Sequence, residues 1–153
     1  MTIRPYRGSD FGALKDLICA LQEFERTFDA ARIVPDAAFA EWYAGKLLDV
    51  IQQQKGFILV AEEDAKVVGY AAGHEDEEWE YRDTYFNIAE LCVLPAHRGK
   101  GIGTALMRAM EDYARKEGYG RTGIGVLSPN SRVHGLYRRL GYADHVVRLR
   151  KKI

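Results

Sequence analysis

The stretch from Ala89 to Met107 limits the fold of this chain more than any other, because it joins a predicted strand to a predicted helix through a glycine-rich turn. In the strand, Leu91 and Val93 would face one side of a sheet and Glu90 and Cys92 the other, an alternation typical of a half-buried strand. The proline that follows Leu94 ends the strand, since it has no N–H to donate to a neighbouring strand.

The turn has glycine at every second position, Gly99, Gly101 and Gly103, and apolar residues then recur at helical spacing. The first turn of a helix leaves backbone N–H groups unpaired, and the helix dipole adds partial positive charge there. Glycines let another molecule approach the backbone closely, and Arg98 and Lys100 add full charges. The turn therefore predicts an anion site, most simply for phosphates, with an ordinary structural turn as the alternative.

Two familiar phosphate loops do not fit these residues. The Walker pattern requires Ser or Thr after its lysine, and Lys100 is followed by glycine. The dinucleotide fingerprint has a different glycine spacing, Gly-x-Gly-x-x-Gly. The segment Arg98-Gly-Lys-Gly-Ile-Gly103 instead resembles the Arg/Gln-x-x-Gly-x-Gly/Ala signature of the GNAT N-acetyltransferase superfamily, in which this loop holds the pyrophosphate of coenzyme A.

A second motif supports the resemblance. Residues 130–142 are similar to the family's later motif, which has an Asn, a helix bearing Leu-Tyr, and then Leu-Gly-Phe/Tyr. A Leu-Tyr pair on a helix is by itself more often a part of the core, but here the two motifs occur in the family's order. A helix and a strand join them, and the resemblance extends over nearly the whole chain. Val133 departs from the alanine of many relatives.

The resemblance implies transfer of acetyl from acetyl-CoA to a primary amine in one ternary complex. Tyr137 matches the family's general acid, and a backbone N–H near Val93 would stabilise the oxyanion. Asn130 matches the residue that bonds pantetheine or the backbone beside it. The residues expected to contact the co-substrate are Leu91, Cys92, Val93, Arg98, Gly99, Lys100, Gly101, Ile102, Gly103, Thr104 and Asn130.

Glu90 is the first candidate for the general base, because it lies on the strand that leads to the glycine turn and could act through a water molecule. A plain salt bridge is an equal alternative for this residue. Glu25, His74 and Tyr85 are further candidates. Cys92 as a covalent acetyl carrier would need an activating base beside it, and the family's direct transfer argues against that role.

The hydrophobic pattern predicts one α/β (α+β) domain over residues 1–153 with the order β-α-α-β-β-β-α-β-α-β. We expect a mixed, largely antiparallel twisted sheet flanked by helices on both faces, as in acyl-CoA N-acyltransferases. Ser9 is a candidate helix N-cap, Pro35 fits a first helical turn and Gly56 a helix C-cap, while Gly45 could bend or split its helix. The predicted strands are 2–5, 57–62, 66–73, 85–93, 123–127 and 145–150, and the last two helices span 101–117 and about 131–140.

Charge is distributed unevenly although the formal net charge is zero. Residues 1–90 have 18 acidic and 9 basic side chains, and the remainder is correspondingly basic around the predicted phosphate turn. An acidic run from Glu75 to Asp83 suggests one wall of a site for a cationic amine, or merely a solvated loop.

The sequence offers no zinc-type spacing among its His and Cys residues, so no metal is expected. Two cysteines and no signal-like or membrane-spanning segment favour the cytoplasm and argue against a membrane partner. The bases are not interleaved with aromatics, which argues against nucleic acid. A non-catalytic acetyl-CoA-binding module, a protein amine as acceptor, a nucleic-acid-binding role for the basic half and a homodimer stay open as alternatives.

Overall fold

The computed structural model describes residues 1–153, and its secondary structure follows the predicted order up to the fourth helix. The strands are β1 (Thr2–Pro5), β2 (Phe57–Glu63), β3 (Lys66–Asp76), β4 (Tyr85–Val93) and β5 (Thr122–Ile124). The helices are α1 (Phe11–Arg26), α2 (Ala37–Gln53), α3 (Ile102–Lys116) and α4 (Ser131–Arg139). None of these helices combines the length and apolar character needed to span a membrane.

The five strands form one sheet in the order β1-β2-β3-β4-β5. Every neighbouring pair is antiparallel except β4 and β5, which are parallel and pair only over Phe86–Ile88. The register between β3 and β4 shifts beside Gly73, so that Ala89 has no partner and forms a bulge. β3 and β4 stay paired beyond this point as far as Val93, but β4 and β5 separate after Ile88, so the second half of β4 has a free edge on the β5 side.

Helices cover both faces of the sheet, as predicted. On one face α3 and Tyr137 of α4 pack over Phe86 and Ile88, and Leu91 and Val93 point to this side. On the other face α1 and α2 pack over Tyr70 and Cys92. The strand alternation predicted for β4 is therefore confirmed, and residues of β4 can meet side chains from both helical layers where the sheet opens.

The start of α1 differs from the prediction. Ser9 is not its N-cap, because a short 3-10 turn over Gly8–Asp10 precedes the helix. The carboxylate of Asp10 is buried. It accepts one hydrogen bond from the backbone N–H of Arg7 at 2.8 Å and two from the Arg4 guanidinium at 2.8 and 2.9 Å. Hydrogen bonds from Arg4 hold the pKa of Asp10 below its usual value. The ion pair fixes β1 to the beginning of α1.

Two predictions about the ends of α2 were wrong, and the helix is not split. Its N-cap is Asp36, whose side chain accepts the Phe39 N–H at 2.7 Å, so Pro35 lies outside the helix. Gly45 does not interrupt the helix, which is continuous. Gly56 lies beyond the C-cap, and its lack of a side chain instead allows close contact with Ile51 and the Gly73 carbonyl, because a Cβ there would stand 2.7–2.8 Å from both.

The C-terminal prediction also fails in part. The strand expected over 123–127 is only the three-residue β5, and the strand expected over 145–150 is absent. Val146, Val147 and Leu149 of that segment are exposed instead. A strand requires a hydrogen-bonded neighbour, and within this chain β5 pairs only with β4.

Candidate active site

A cleft opens where β4 and β5 separate, and its cavity has a volume of about 510 Å³. This size is in the range of small-molecule sites. The cleft is lined by the free half of β4, the glycine turn, the start of α3, one side of α4 and residues of α1 and α2. Thus a single cavity collects most of the residues that the sequence singled out.

The free edge of β4 directs backbone N–H groups into this cleft. The N–H of Leu94 donates to Val68 O at 2.9 Å and so points toward β3. Since N–H directions alternate along a strand, those of Leu91 and Val93 point away from β3, toward the cleft. The carbonyl of Val93 points the same way, because it accepts a hydrogen bond from Arg98 Nε at 2.8 Å. These donors fit the stabilisation of a carbonyl oxygen that gains negative charge.

The glycine turn has the geometry of an anion site. Gly99 and Gly101 have φ values of +79° and +81°, which side-chain-bearing residues rarely adopt, and a Cβ at either would meet no other atom within 4 Å. The α3 ladder begins with Ala105 N–H donating to Gly101 O at 3.0 Å. The N–H groups of Ile102, Gly103 and Thr104 precede that bond, and they border the cleft as the orphan donors of a helix N-terminus. This open, N–H-rich backbone fits a pyrophosphate.

The two basic side chains of the turn differ in placement. Arg98 lines the cleft, where its guanidinium stacks 4.5 Å from the centroid of the Phe24 ring and is fixed by Val93 O. Lys100 is exposed and its side chain lies outside the lining of the cleft, although its neighbours Gly99 and Gly101 belong to it. Beside them, His97 Nδ1 and Glu63 Oε2 are 2.7 Å apart and tie the turn to β2.

Asn130 and Tyr137 enter the cleft from α4. The side-chain oxygen of Asn130 caps the helix by accepting the Val133 N–H at 3.3 Å, which leaves the amide nitrogen for another partner. Tyr137 is 8% exposed, and no protein group hydrogen bonds to its hydroxyl. Burial raises the pKa of this phenol well above its ordinary value, so the hydroxyl keeps its proton and can donate it.

Glu90 faces the same cleft from the α1–α2 side of the sheet. Both of its carboxylate oxygens are engaged, Oε1 by the hydroxyl of Tyr43 and Oε2 by the hydroxyl of Tyr70. Burial raises the pKa of Glu90, while the hydrogen bonds from the two tyrosines act in the opposite direction. No cation forms an ion pair with Glu90, so the salt-bridge alternative is wrong. A raised pKa makes this carboxylate a stronger proton acceptor than an ordinary glutamate.

Of the other candidate bases, only Glu25 lies in the cleft. It forms an ion pair with Arg32, and burial raises its pKa against the opposing effect of that arginine. His74 is directed to the backbone carbonyl of Glu75, and the hydroxyl of Tyr85 contacts Asp76, both away from the cleft lining. Their positions do not support a catalytic role for either.

The environment of Cys92 makes covalent acetyl transfer unattractive. The side chain is 3% exposed and packs in the core under α1 and α2. Burial raises the pKa of its thiol to about 12, so the reactive thiolate is scarce.

The expectation that the acidic run from Glu75 to Asp83 forms an acceptor wall is wrong, because no residue of this run lines the cleft. The run connects the end of β3 to the start of β4, whereas the cleft lies at the other end of β4. Its carboxylates also have partners on the surface. Glu75 binds Lys55 and Tyr119, and Glu78 binds Arg121.

Three cleft or near-cleft residues were missed by the sequence reasoning: Arg32, Tyr43 and Tyr70. Tyr43 has the same helical spacing as its apolar neighbours on α2, so the sequence predicts a core residue. No neighbouring residue in the sequence indicates its hydrogen bond with Glu90. Arg32 lies in the irregular segment between α1 and α2, where no pattern predicts its pairing with Glu25. Only the three-dimensional fold brings these residues together.

A mixed sheet that opens between its parallel strands, next to a glycine turn at a helix N-terminus, is the architecture of the acyl-CoA N-acyltransferases. A model of the acetyltransferase (GNAT) family matches residues 18–142, and the chain belongs to this family. It is an N-acetyltransferase, and members of the family generally use acetyl-CoA as the acetyl donor.

Named relatives and solved structures agree with this assignment. The thialysine N-epsilon-acetyltransferase of Mus musculus is 28% identical over 93% of this chain and 84% of its own length. The streptothricin acetyltransferase of Streptomyces lavendulae is 40% identical, but over only 52% of this chain and 40% of its own. The structure of an aminoglycoside 6'-N-acetyltransferase from Acinetobacter haemolyticus has a TM-score of 0.74 at 21% identity, covering 100% of this chain and 99% of that one. At that identity the structure supports the fold alone.

Proposed function

We propose that this protein transfers acetyl from acetyl-CoA directly to a primary amine of a small, cationic acceptor in a ternary complex. The observation that carries the proposal is the meeting of Glu90 and Tyr137 in one cleft, from opposite layers of the fold, beside the free N–H groups of β4. The relatives' names also indicate small acceptors, since thialysine, streptothricin and aminoglycosides are small amine-bearing molecules.

The co-substrate would be held by its charged end. The N–H groups of Ile102, Gly103 and Thr104 would donate to the pyrophosphate. Arg98 lines the same cleft and would add a positive charge. Lys100 would contribute through its backbone and through the positive potential of an exposed ammonium group. Asn130 would bind the pantetheine arm through its free amide nitrogen. The three backbone N–H groups and the Asn130 amide nitrogen have no partner within the protein.

The acetyl group would then lie along the free edge of β4. The N–H groups of Leu91 and Val93 would donate to the carbonyl oxygen and stabilise its negative charge as the amine attacks. Glu90 would take the proton that the ammonium must lose, directly or through water. Tyr137 would give its proton to the departing sulfur, so that the thiol leaves neutral.

The acceptor end of the cleft favours a cation. Glu25 and Glu90 both line it, with Arg32 as the only basic side chain paired to either. A positively charged acceptor bound beside Glu25 and Glu90 would be attracted by these two carboxylates, which raises its local concentration.

The experiment is thiol release from acetyl-CoA with a panel of diamines, amino acids and neutral amines, measured with the wild-type protein and Glu90→Gln. We expect amine-dependent release with cationic acceptors and a loss of about 10²–10⁴-fold in turnover for Glu90→Gln, the usual contribution of a general base. Asp112→Asn, an isosteric change on the exposed face of α3, is the matched control and should leave turnover unchanged. If no amine in the panel causes thiol release, the proposal is contradicted.

A further inference from the structure

Gln22 is a buried polar residue of the cleft that the proposed acid and base do not use. It lies on α1, one helical turn before Glu25 and on the same side of that helix. The residue is only 4% exposed, and it lines the cleft. Because α1 covers the face of the sheet opposite to α3 and α4, Gln22 belongs to the acceptor end together with Glu25 and Glu90.

The protein fixes the orientation of the Gln22 amide. Its Oε1 accepts a hydrogen bond from Arg32 Nη2 at 3.0 Å, and Arg32 is itself held by an ion pair with Glu25. Since a guanidinium only donates, the amide atom that faces Arg32 must be the oxygen. The NH2 group of Gln22 is therefore turned to the other side of the amide, away from Arg32.

This NH2 group has no partner in the protein and can still be reached. The amide makes one hydrogen bond, through its oxygen. Arg32 Nε is the only fully enclosed side-chain nitrogen or oxygen without a hydrogen-bond partner, so Gln22 Nε2 keeps accessible surface although the residue is buried. Buried donors are nearly always paired. An accessible, unpaired donor on a buried side chain that lines a cleft indicates a position where a ligand supplies an oxygen.

The chemistry of an amide NH2 group restricts the ligand. It donates and carries no charge, so it cannot bind an ammonium group, which also only donates. Cationic groups of an acceptor would instead be drawn to Glu25 and Glu90, whose charges repel a carboxylate. An uncharged oxygen fits both conditions, and a plain alkyl polyamine would leave the Gln22 donor unpaired.

We propose that the NH2 group of Gln22 donates to an uncharged oxygen of the acceptor, which is then an amine that also has an ether, hydroxyl or carbonyl oxygen. This inference rests on the proposed function. Gln22 would be a specificity-determining residue, because a site that hydrogen bonds a substrate oxygen discriminates against the analogue that lacks it. The pantetheine arm also has carbonyl oxygens, but Asn130 and the free edge of β4 already face it from the other side of the cleft.

The test uses acceptors that differ by exchange of CH2 for an ether oxygen, which can only accept a hydrogen bond. The pairs are bis(2-aminoethyl) ether with 1,5-diaminopentane, and 1,2-bis(2-aminoethoxy)ethane with 1,8-diaminooctane. For each pair we measure the ratio of kcat/KM, ether over alkyl diamine, in wild type and in Gln22→Glu. The variant keeps an oxygen for Arg32 and removes the donor. We expect the ratio to fall by about tenfold in the variant for at least one pair, the effect of one hydrogen bond.

The comparison of ratios cancels two other effects. The ether oxygen alters the basicity of the amines equally in both proteins, and the added carboxylate attracts both members of a pair. Gln22→Met is a second variant without the donor and should show the same fall. Gln53→Glu makes the same substitution at an exposed site outside the cleft and should keep the wild-type ratio. The KM for acetyl-CoA should stay within about twofold in all three variants.

A wild-type preference for the alkyl diamine in both pairs overturns the assignment of Gln22 without any variant. Equal ratios in wild type and the Gln22 variants also overturn it, and if the KM for acetyl-CoA rises at the same time, the amide binds the pantetheine arm instead. Each of these outcomes leaves the transferase intact. Absence of thiol release with every amine overturns the proposed function, and the inference with it.

Discussion

The hydroxyl of Tyr70, a side chain with no exposed surface, donates to Oε2 of Glu90 across the β3–β4 pair. Tyr43 from α2 engages the other oxygen, so one carboxylate joins the central sheet to the second helix. Both bonds favour the charged form of Glu90 and thereby moderate the rise in its pKa that burial causes. The two tyrosines position the proposed base and favour its charged form.

Replacing Tyr70 with Phe should change the pH dependence of turnover. Loss of the hydrogen bond removes support for the charged carboxylate, so the pKa of Glu90 rises further and the fraction of ionised base falls at acidic pH. Activity should therefore decrease more at acidic than at alkaline pH, and the acidic limb of kcat should move to higher pH. Tyr119→Phe is the control, because its hydroxyl bonds Glu75 outside the cleft. An acidic limb unmoved in Tyr70→Phe would remove Glu90 from the role of base.

Tyr137→Phe should separate chemistry from binding. The hydroxyl has no protein partner, so its loss leaves packing intact, and acetyl-CoA affinity should stay within a few-fold. Turnover should fall by roughly 10²–10⁴-fold, the usual value of general acid catalysis. Tyr142→Phe removes a neighbouring hydroxyl that contacts Thr122, and it should have little effect. Equal turnover of Tyr137→Phe and wild type would mean that the thiolate leaves without this proton.

The glycine turn can be tested at two of its glycines, Gly101 and Gly103. Gly101→Val forces a β-branched residue into φ +81° and places atoms where we expect the pyrophosphate, so acetyl-CoA binding should be lost. Gly103→Ala is the control, since a Cβ there comes no closer than 3.8 Å to Leu136. At 100 times its dissociation constant, acetyl-CoA should stabilise wild type and Gly103→Ala by about 2.7 kcal/mol and Gly101→Val by almost nothing. A full thermal shift in Gly101→Val would place the co-substrate elsewhere.

Neutralising the acidic run should leave acceptor kinetics unchanged. The combined changes Glu77→Gln, Glu78→Gln and Glu80→Gln alter a surface loop that precedes the start of β4. The cleft lies at the opposite end of this strand. We expect the KM for a cationic amine to stay within about twofold, and stability to fall by no more than about 1 kcal/mol from the lost surface pair of Glu78 with Arg121. An increase in the amine KM that fades with added salt would show that this loop attracts the acceptor after all.

The sequence predicted best those parts of the fold that neighbouring residues determine. The bounds of β4 were predicted as observed, because alternation and the following Pro95 are both local signals. The glycine turn and the start of α4 at Asn130 are likewise encoded within a few residues. By contrast, the strand predicted over 145–150 has the right alternation but no hydrogen-bonded neighbour, which a local pattern cannot supply.

The site was less predictable than the fold. Glu90 was selected from its place on β4, but its partners Tyr43 and Tyr70 lie 47 and 20 residues away in sequence. Both tyrosines fit the apolar pattern of their elements, so their hydroxyls gave no signal. The acidic run attracted attention because of its composition, yet loop connectivity places it away from the cleft, where its charges are paired with Lys55 and Arg121.

The most direct test of the account is the initial rate of thiol release, measured while acetyl-CoA and a cationic amine are varied independently. Direct transfer in a ternary complex predicts double-reciprocal lines that intersect, because both molecules must occupy the cleft before any product leaves. Parallel lines would indicate an acetylated enzyme, for which Cys92 offers only a buried thiol of raised pKa. Either parallel lines or release that does not depend on the amine would contradict the account.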